Sequence, residues 1–494
     1  MSIARLSWLG VASSVAITCA FFACSDSTST PADAGTVAPN CPSTDEAGTT
    51  GDAAVSDAGA VRGNKLMIVG GALADNSPIW QRTIDEGGGV ANLRFLVVTA
   101  AITASAGNFS YYQDLLHRVY GVSLDHIQQA RIGDIDDPNT KFEDESTNKD
   151  NGDADAEVAK VRDWATVVWF AGGDQAHIMS TFTRPDGTDR KVTTAIREKL
   201  AAGKLLVAGT SAGAAVMSDP MIGEGDPYKS FVYPPVYAKY YPTVEPDGGF
   251  NPENAVLLNK GLGFLSSKYH VLVDTHWFQR ARFPRTIRAL DFASGASALD
   301  PKMKVGLGVG ENSAILVDLE SGVAEVVGDV DASMVGVVNV NEAVTSGNTS
   351  PYAASKVRVG FIGARDRFAL PSDTNVNGTF LPEATKHRYL PCNKNLGLPP
   401  LTGDMFVPGA LVDLLKNLLD GEPDGTLCHA DGLGYRLAPG ATAVGGAPFA
   451  VKGFFFRFTT DEKTKEFYSS DWGWEVENVL MQVGTGTGTI APPF

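Results

Sequence analysis

Short, unbroken apolar runs that end in glycine and are separated by helix-length patterns constrain this 494-residue chain more than any other feature. Lys65-Leu-Met-Ile-Val-Gly-Gly71 is one, and Phe95–Ala100, Thr166–Phe170, Lys204–Ala208, Tyr269–Asp274 and Lys304–Val309 are others. Each is short for a helix and apolar on both faces, as a strand buried on two sides must be. Residues Tyr111–Val119, Ala176–Phe182, Lys191–Ala202 and Pro284–Phe292 carry helical spacing between them. Strands spaced by helices predict an α/β protein with a doubly wound, mostly parallel sheet. In such sheets function gathers at the carboxyl ends of the strands.

Three strand ends carry chemistry. Gly209-Thr210-Ser211-Ala212-Gly213 follows an apolar run and precedes Ala-Ala-Val-Met, which is G-x-S-x-G in a strand–turn–helix context. The glycines allow a sharp turn that would raise the Ser211 hydroxyl above the sheet. The competing reading is a tight turn with a capping serine. Ser211 needs a base, and His270 and His276 bracket one strand about 20 Å long. Strand polarity selects His276, at the carboxyl end. Asp274 points to the same side in an extended chain, where it could orient the ring or meet a substrate amine. Glu311 closes Gly306-Leu-Gly-Val-Gly-Glu311 at the same rim and suits the third place in a triad. Gly172-Gly173-Asp174-Gln175 is a further glycine turn, whose N–H groups could approach an oxyanion while Gln175 meets an amide or carboxylate.

Taken together, these motifs resemble the cyanophycinase and dipeptidase E family of serine peptidases. The resemblance rests on Val69-Gly70-Gly71, Gly172–Gln175, Gly209–Ala214, Gly261–Leu265, Asp274–Arg282 and Gly306–Glu311, in order over about residues 63–330. It implies a flavodoxin-like, class I glutamine amidotransferase-like core with Ser211 as nucleophile, His276 as base and Glu311 as third member. N–H groups of Gly173, Asp174 and Ala212 would hold the oxyanion. Gln175, Asp274, Arg280 and Arg282 would line the substrate site, the arginines pairing with aspartyl carboxylates. The implied reaction is hydrolysis of cyanophycin, a poly-aspartate carrying arginine through β-linked amides, by way of an acyl-enzyme. An aspartyl or isoaspartyl dipeptidase and a catalytically silent surface-binding module are the alternatives. Thr275 and Gly310 depart from the family pattern, which has Gln and Asp there.

The rest of the chain frames this core. Residues 1–24 have one early positive charge, an apolar run from Leu9 to Phe22, and Phe-Ala before Cys24. This reads as an export signal resembling a bacterial lipobox, with Cys24 acylated, or as an ordinary signal peptide. Residues 25–62, rich in Ser, Thr, Ala, Gly, Asp and Pro, read as a disordered acidic tether. The serine peptidase domain is expected over 63–345 and an α+β extension over 346–494, ending in a loose Gly-Thr repeat at 484–489. Cys392 and Cys428 are candidates for a disulfide in an oxidising compartment. Net charge is −17, which argues against a nucleic-acid partner. Residues 134–157 hold ten Asp or Glu against two Lys and read as a solvated loop. No cofactor or metal is expected. The partner would be a peptide substrate, with the membrane reached only through a lipid anchor and a homodimer left open.

Overall fold

The strand β1 (Lys65–Val69) shows why the apolar runs are continuous. Leu66 and Ile68 enter one core and Met67 and Val69 another, all fully buried. Its sheet holds β1, β5 (Leu206–Thr210), β4 (Val167–Phe170), β2 (Phe95–Val98) and β3 (Ile127–Ala130), parallel and in that spatial order. Beyond β1 it continues antiparallel through Ser313–Asp318, Val323–Gly328, Arg367–Ala369 and Thr379–Leu381.

This computed structural model describes residues 63–239, 256–266, 268–295, 299–330, 332–381, 387–389, 404–419, 429–435, 449–469 and 473–490. The leader with Cys24, the tether, Cys392 and Cys428 lie outside them. The described residues all fall in one compact unit.

The architecture is α/β, but the expected single sheet is corrected to two large mixed ones, with a small third sheet of Met221–Glu224, Leu257–Asn259 and Val236–Ala238. Val271–Thr275 and Val305–Val309 pair in parallel with each other and belong to a second sheet, which continues antiparallel through Met334–Asn339, Ala354–Gly363 and Gly473–Ile490. Val271, Val273, Val305 and Leu307 meet Leu66, Ile68, Val168 and Val207 in one core. An apolar run specifies burial of both faces and does not specify the neighbour, so these strands satisfy it by packing across the core rather than by lying alongside β1. The outer face of the second sheet is covered by the helix Phe283–Ser294, which buries Phe283, Ile287 and Leu290.

Two further expectations change. Residues Gly484–Thr489 are strand: they pair antiparallel with Phe449–Thr459, Phe455 opposite Gly484 and Ala450 opposite Thr489. The phenylalanine-rich strand offers a backbone edge, and threonine suits it. The acidic segment is tied down more than a solvated loop would be. Asp137 accepts the Ala106 N–H at the start of the helix Ser105–Arg118, and Asp153 pairs with Arg184 and Arg190.

Residues 354–490 thread strands into both large sheets. Phe449–Thr459 sends Phe454, Phe456 and Phe458 into the core of the second sheet, beside the helix Ala410–Leu419.

Candidate active site

The serine turn is built by close backbone approach. Ser211 sits at φ 52°, ψ −111°, between β5 and the short helix Ala212–Ala215. A Cβ on Gly209 would lie 2.4 Å from the Gly213 carbonyl oxygen, and one on Gly213 would lie 2.2 Å from that of Phe170. Only glycine fits at either position, and the positive φ of Ser211 is the strain such a turn stores.

Three successive carbonyls at the exit of β1 gather the other parts. Val69 accepts the N–H of Ser211 (3.0 Å), Gly70 that of His276 (2.9 Å) and Gly71 that of Asn312 (2.9 Å). A Cβ on Gly71 would fall 2.2 Å from His276 Cε1, so the imidazole occupies the place of a side chain there. His276 leaves its strand at φ 49°. The extended-chain geometry that set Asp274 beside it therefore does not hold. Its Nε2 is 2.8 Å from Ser211 Oγ, and its Nδ1 is 2.7 Å from Glu311 Oε1. Gln279 in turn accepts the Glu311 N–H at 2.9 Å. Burial, with Arg280 and Arg282, lowers the imidazole pKa, while Glu311 works the other way. The ring is therefore neutral at neutral pH, as a general base must be.

The Gly172–Gln175 turn lies across from the serine. Gly173 has φ +133°, and a Cβ there would meet the Ala101 carbonyl at 2.0 Å. Asp174 is corrected as an oxyanion donor. Its N–H is taken by Ala101 O at 2.8 Å, and its carboxylate caps the helix Gln175–Phe182 by accepting the Ala176 N–H. The N–H groups of Gly173 and Ala212 are not engaged by another backbone carbonyl among the described residues. Gln175 donates its amide to the Gly223 carbonyl and lines the cavity.

Beside Ser211 opens a cavity of about 640 Å³, lined by Gly173, Gln175, Thr275, Arg280 and Arg282 among others. Asp274 is corrected as a lining residue. Its side chain is 1% exposed, Arg285 grips it at both oxygens, and Thr286 Oγ1 donates to it at 3.0 Å. Burial alone would raise its pKa, yet Arg285 and Arg282 hold it below the usual carboxylate range. Asp274 therefore braces Arg285, which does line the cavity and also donates to Gly225 O at 3.1 Å. Burial and the neighbouring Arg285 and Arg280 push Arg282 down to about 9, so it stays charged. It donates to Thr275 O at 2.8 Å. The Gly310 departure has a packing reason: a Cβ there would press on Met334 O at 3.0 Å and Phe278 at 3.1 Å.

Sequence reading missed Arg285, Glu224, Asp226 and Lys229, all of which line the cavity. The Arg282-x-x-Arg285 spacing, about one helical turn, could have given the first. Nothing local marks the loop at 224–229.

A hydroxyl, an imidazole and a carboxylate in series beside two glycine turns is the geometry that serine-nucleophile hydrolases use. Residues 148–236 match the model of Peptidase family S51. This span contains the glycine turn, the serine elbow and the wall loop, and stops before His276. A cyanophycinase of Trichormus variabilis is 27% identical over 207 residues, covering 41% of this chain and 56% of that protein. A cyanophycinase of Geminocystis herdmanii is 24% identical over 209 residues, covering 41% and 62%. The chain thus spans a little over half the length of the curated relatives it matches. A solved peptidase from an acI-B1 Actinobacterium aligns over 57% of this chain and 91% of that one, at 17% identity and a TM-score of 0.35. Residues 148–236 thus resemble Peptidase family S51, and about two fifths of the chain resembles cyanophycinases at low identity.

Proposed function

We propose that this chain hydrolyses cyanophycin or a closely similar β-aspartyl-arginine peptide through a Ser211–His276–Glu311 triad. The observation that carries the reading is the 2.8 Å and 2.7 Å series from Ser211 Oγ through His276 to Glu311, opening on an arginine-lined cavity. His276 takes the Ser211 proton as Oγ attacks the amide carbonyl, and Glu311 stabilises the imidazolium. The N–H groups of Gly173 and Ala212 hold the oxyanion. His276 then returns the proton to the leaving amine, and water releases the acyl-enzyme. Arg280, Arg282 and Arg285 meet substrate carboxylates, for which guanidinium offers paired donors. The parallel half of the first sheet serves as the flavodoxin-like frame of this site. The leader and tether add the proposal of an exported, lipid-tethered enzyme acylated on Cys24.

Incubation of the purified chain with cyanophycin should release β-Asp-Arg, and Ser211→Ala should release none while keeping its fold. Turnover by Ser211→Ala would overturn the triad. Cleavage of short Asp dipeptides with cyanophycin left intact would move the substrate to the dipeptidase class.

A further inference from the structure

We propose that the C-terminal layer is part of the substrate-recognition apparatus: Phe406, Phe454 and Phe456 position the helix Pro227–Val232, and through it Lys229, at the cavity. This rests on the reading that the cavity beside Ser211 takes the substrate. The helix is six residues long, too short to hold its own shape. Asp226 caps it by accepting the Lys229 N–H at 2.9 Å, and both residues line the cavity. Tyr228 and Phe231, one turn apart, face away from it into the C-terminal aromatics. The Tyr228 ring lies 5.4 Å from Phe406 and 5.8 Å from Phe454. Phe231 lies 5.3 Å from Phe454 and 6.1 Å from Phe456.

Two backbone links extend the same support. Tyr352 donates its N–H to Phe231 O at 2.8 Å, and Gly409 donates to Phe278 O at 3.2 Å, two residues beyond His276. On the opposite side the loop before the helix is held by Gln175 at Gly223 and by Arg285 at Gly225. The wall is thus clamped between the cavity's own side chains and a layer contributed about two hundred residues later. Phe406 is the keystone that can be altered without touching the cavity. It packs on Gly434, where an added Cβ would come 2.3 Å from its ring. Aromatic packing of this kind acts over whole rings, so losing one lets the helix, and with it Lys229, move.

The test compares the full chain with Phe406→Ala, Phe406→Leu and Gly434→Ala. It reads hydrolysis of a soluble β-aspartyl-arginine oligomer, Ser211 labelling by a small phosphonate, and amide exchange. The expected result for Phe406→Ala is a KM raised about tenfold with kcat held within about twofold, because binding contacts are displaced and the triad is not. Labelling of Ser211 keeps its rate, exchange rises in residues 221–232 and not in 205–215, Phe406→Leu recovers most of the KM, and Gly434→Ala resembles Phe406→Ala. An unchanged KM and unchanged exchange in folded Phe406→Ala would overturn the proposal. So would a parallel loss of kcat and labelling, which marks general loosening. A wild-type chain that leaves the oligomer intact defeats the proposed substrate instead; the exchange pattern at 221–232 still decides whether this layer positions the wall.

Discussion

On the side of the cavity that carries Ser211 and His276, the chain is held by its own backbone. Three consecutive carbonyls, Val69 to Gly71, accept the N–H groups of Ser211, His276 and Asn312 in turn, and Gly71, Gly209 and Gly213 stand where no Cβ fits. On the opposite side, Met221–Glu224 pairs by backbone with Leu257–Asn259 and Phe231 O accepts the Tyr352 N–H, but the turn and helix at 225–232 rest mainly on side chains arriving from elsewhere: Gln175, Arg285, and the aromatic rings of the C-terminal layer. The first arrangement fixes Ser211 and His276 through backbone and leaves no room for a Cβ at these glycines. The second sets the shape and charge of a binding wall, and its parts can vary without disturbing the turns that hold the triad.

Substitutions can break this contrast. The largest expected effect is from Ser211→Ala or His276→Ala, each lowering kcat by about 10³–10⁶-fold with the thermal midpoint nearly unchanged. Gly213→Ala should damage activity and fold together. Its Cβ would sit 2.2 Å from the Phe170 carbonyl, and such overpacking costs about 3 kcal/mol; a stable, active Gly213→Ala would refute the close-approach account.

Arg285→Ala sharpens the comparison from the wall side. It leaves the buried Asp274 carboxylate with Arg282 at 3.8 Å as its remaining cation and with the Thr286 hydroxyl, at a cost of about 3 kcal/mol in unfolding free energy. Pairing it with Asp274→Leu should restore most of the stability but not the KM, which separates bracing from recognition.

The pH profile of kcat/KM tests the electrostatics of the turn side. Burial lowers the His276 pKa, so the neutral base is present above that value and lost as pH falls through it. The acid limb should therefore lie below the ordinary 6.5 of histidine. Glu311→Gln removes the opposing influence and should shift the limb further to acid, with kcat down about 10²–10⁴-fold. A limb above 6.5 in the wild type would contradict the neutral-base assignment.

The smallest effect is away from the site. His270 bonds Asp300 and Asp373 with its two ring nitrogens, 2.9 Å each. Burial would lower its pKa, but the two carboxylates outweigh that and raise it. Its raised folded value gives stability that is complete below the unfolded pKa and lost as pH rises through the folded one. His270→Ala should therefore cost more thermal stability at pH 5.5 than at pH 8.5, by about 1–2 °C, since the pairs are partly solvent-screened.

What the sequence disclosed follows the same division. The elbow, Gly172-Gly173 and the His276 and Glu311 strand ends were legible because each is a short motif whose glycines and polar residues are adjacent in the chain. The misreadings came where neighbours are distant. Apolar strands at 271–275 and 305–309 carry no mark of which sheet they join, and Asp274 shares the Leu272 side of its strand, facing Arg285 and Thr286, while the positive φ of His276 turns the imidazole elsewhere. Asp174 lost its oxyanion role to the Ala101 carbonyl, some seventy residues away. Arg285 lay one helical turn past the last motif residue read. The wall at 224–229 and its aromatic support were invisible, since Tyr228 and Phe406 become neighbours only in the folded chain. The Gly-Thr run at 484–489 looked unstructured on composition and gains its strand by pairing with Phe449–Thr459.

The proposed function stands or falls on Ser211, activated by His276, being the attacking nucleophile. Treating the chain with a serine-directed phosphonate at pH 7 and mapping the adduct by mass spectrometry tests it directly. The expected result is one adduct, on Ser211, that forms far more slowly in His276→Ala. A protein that stays unlabelled at Ser211, or that labels equally fast without His276, would contradict it.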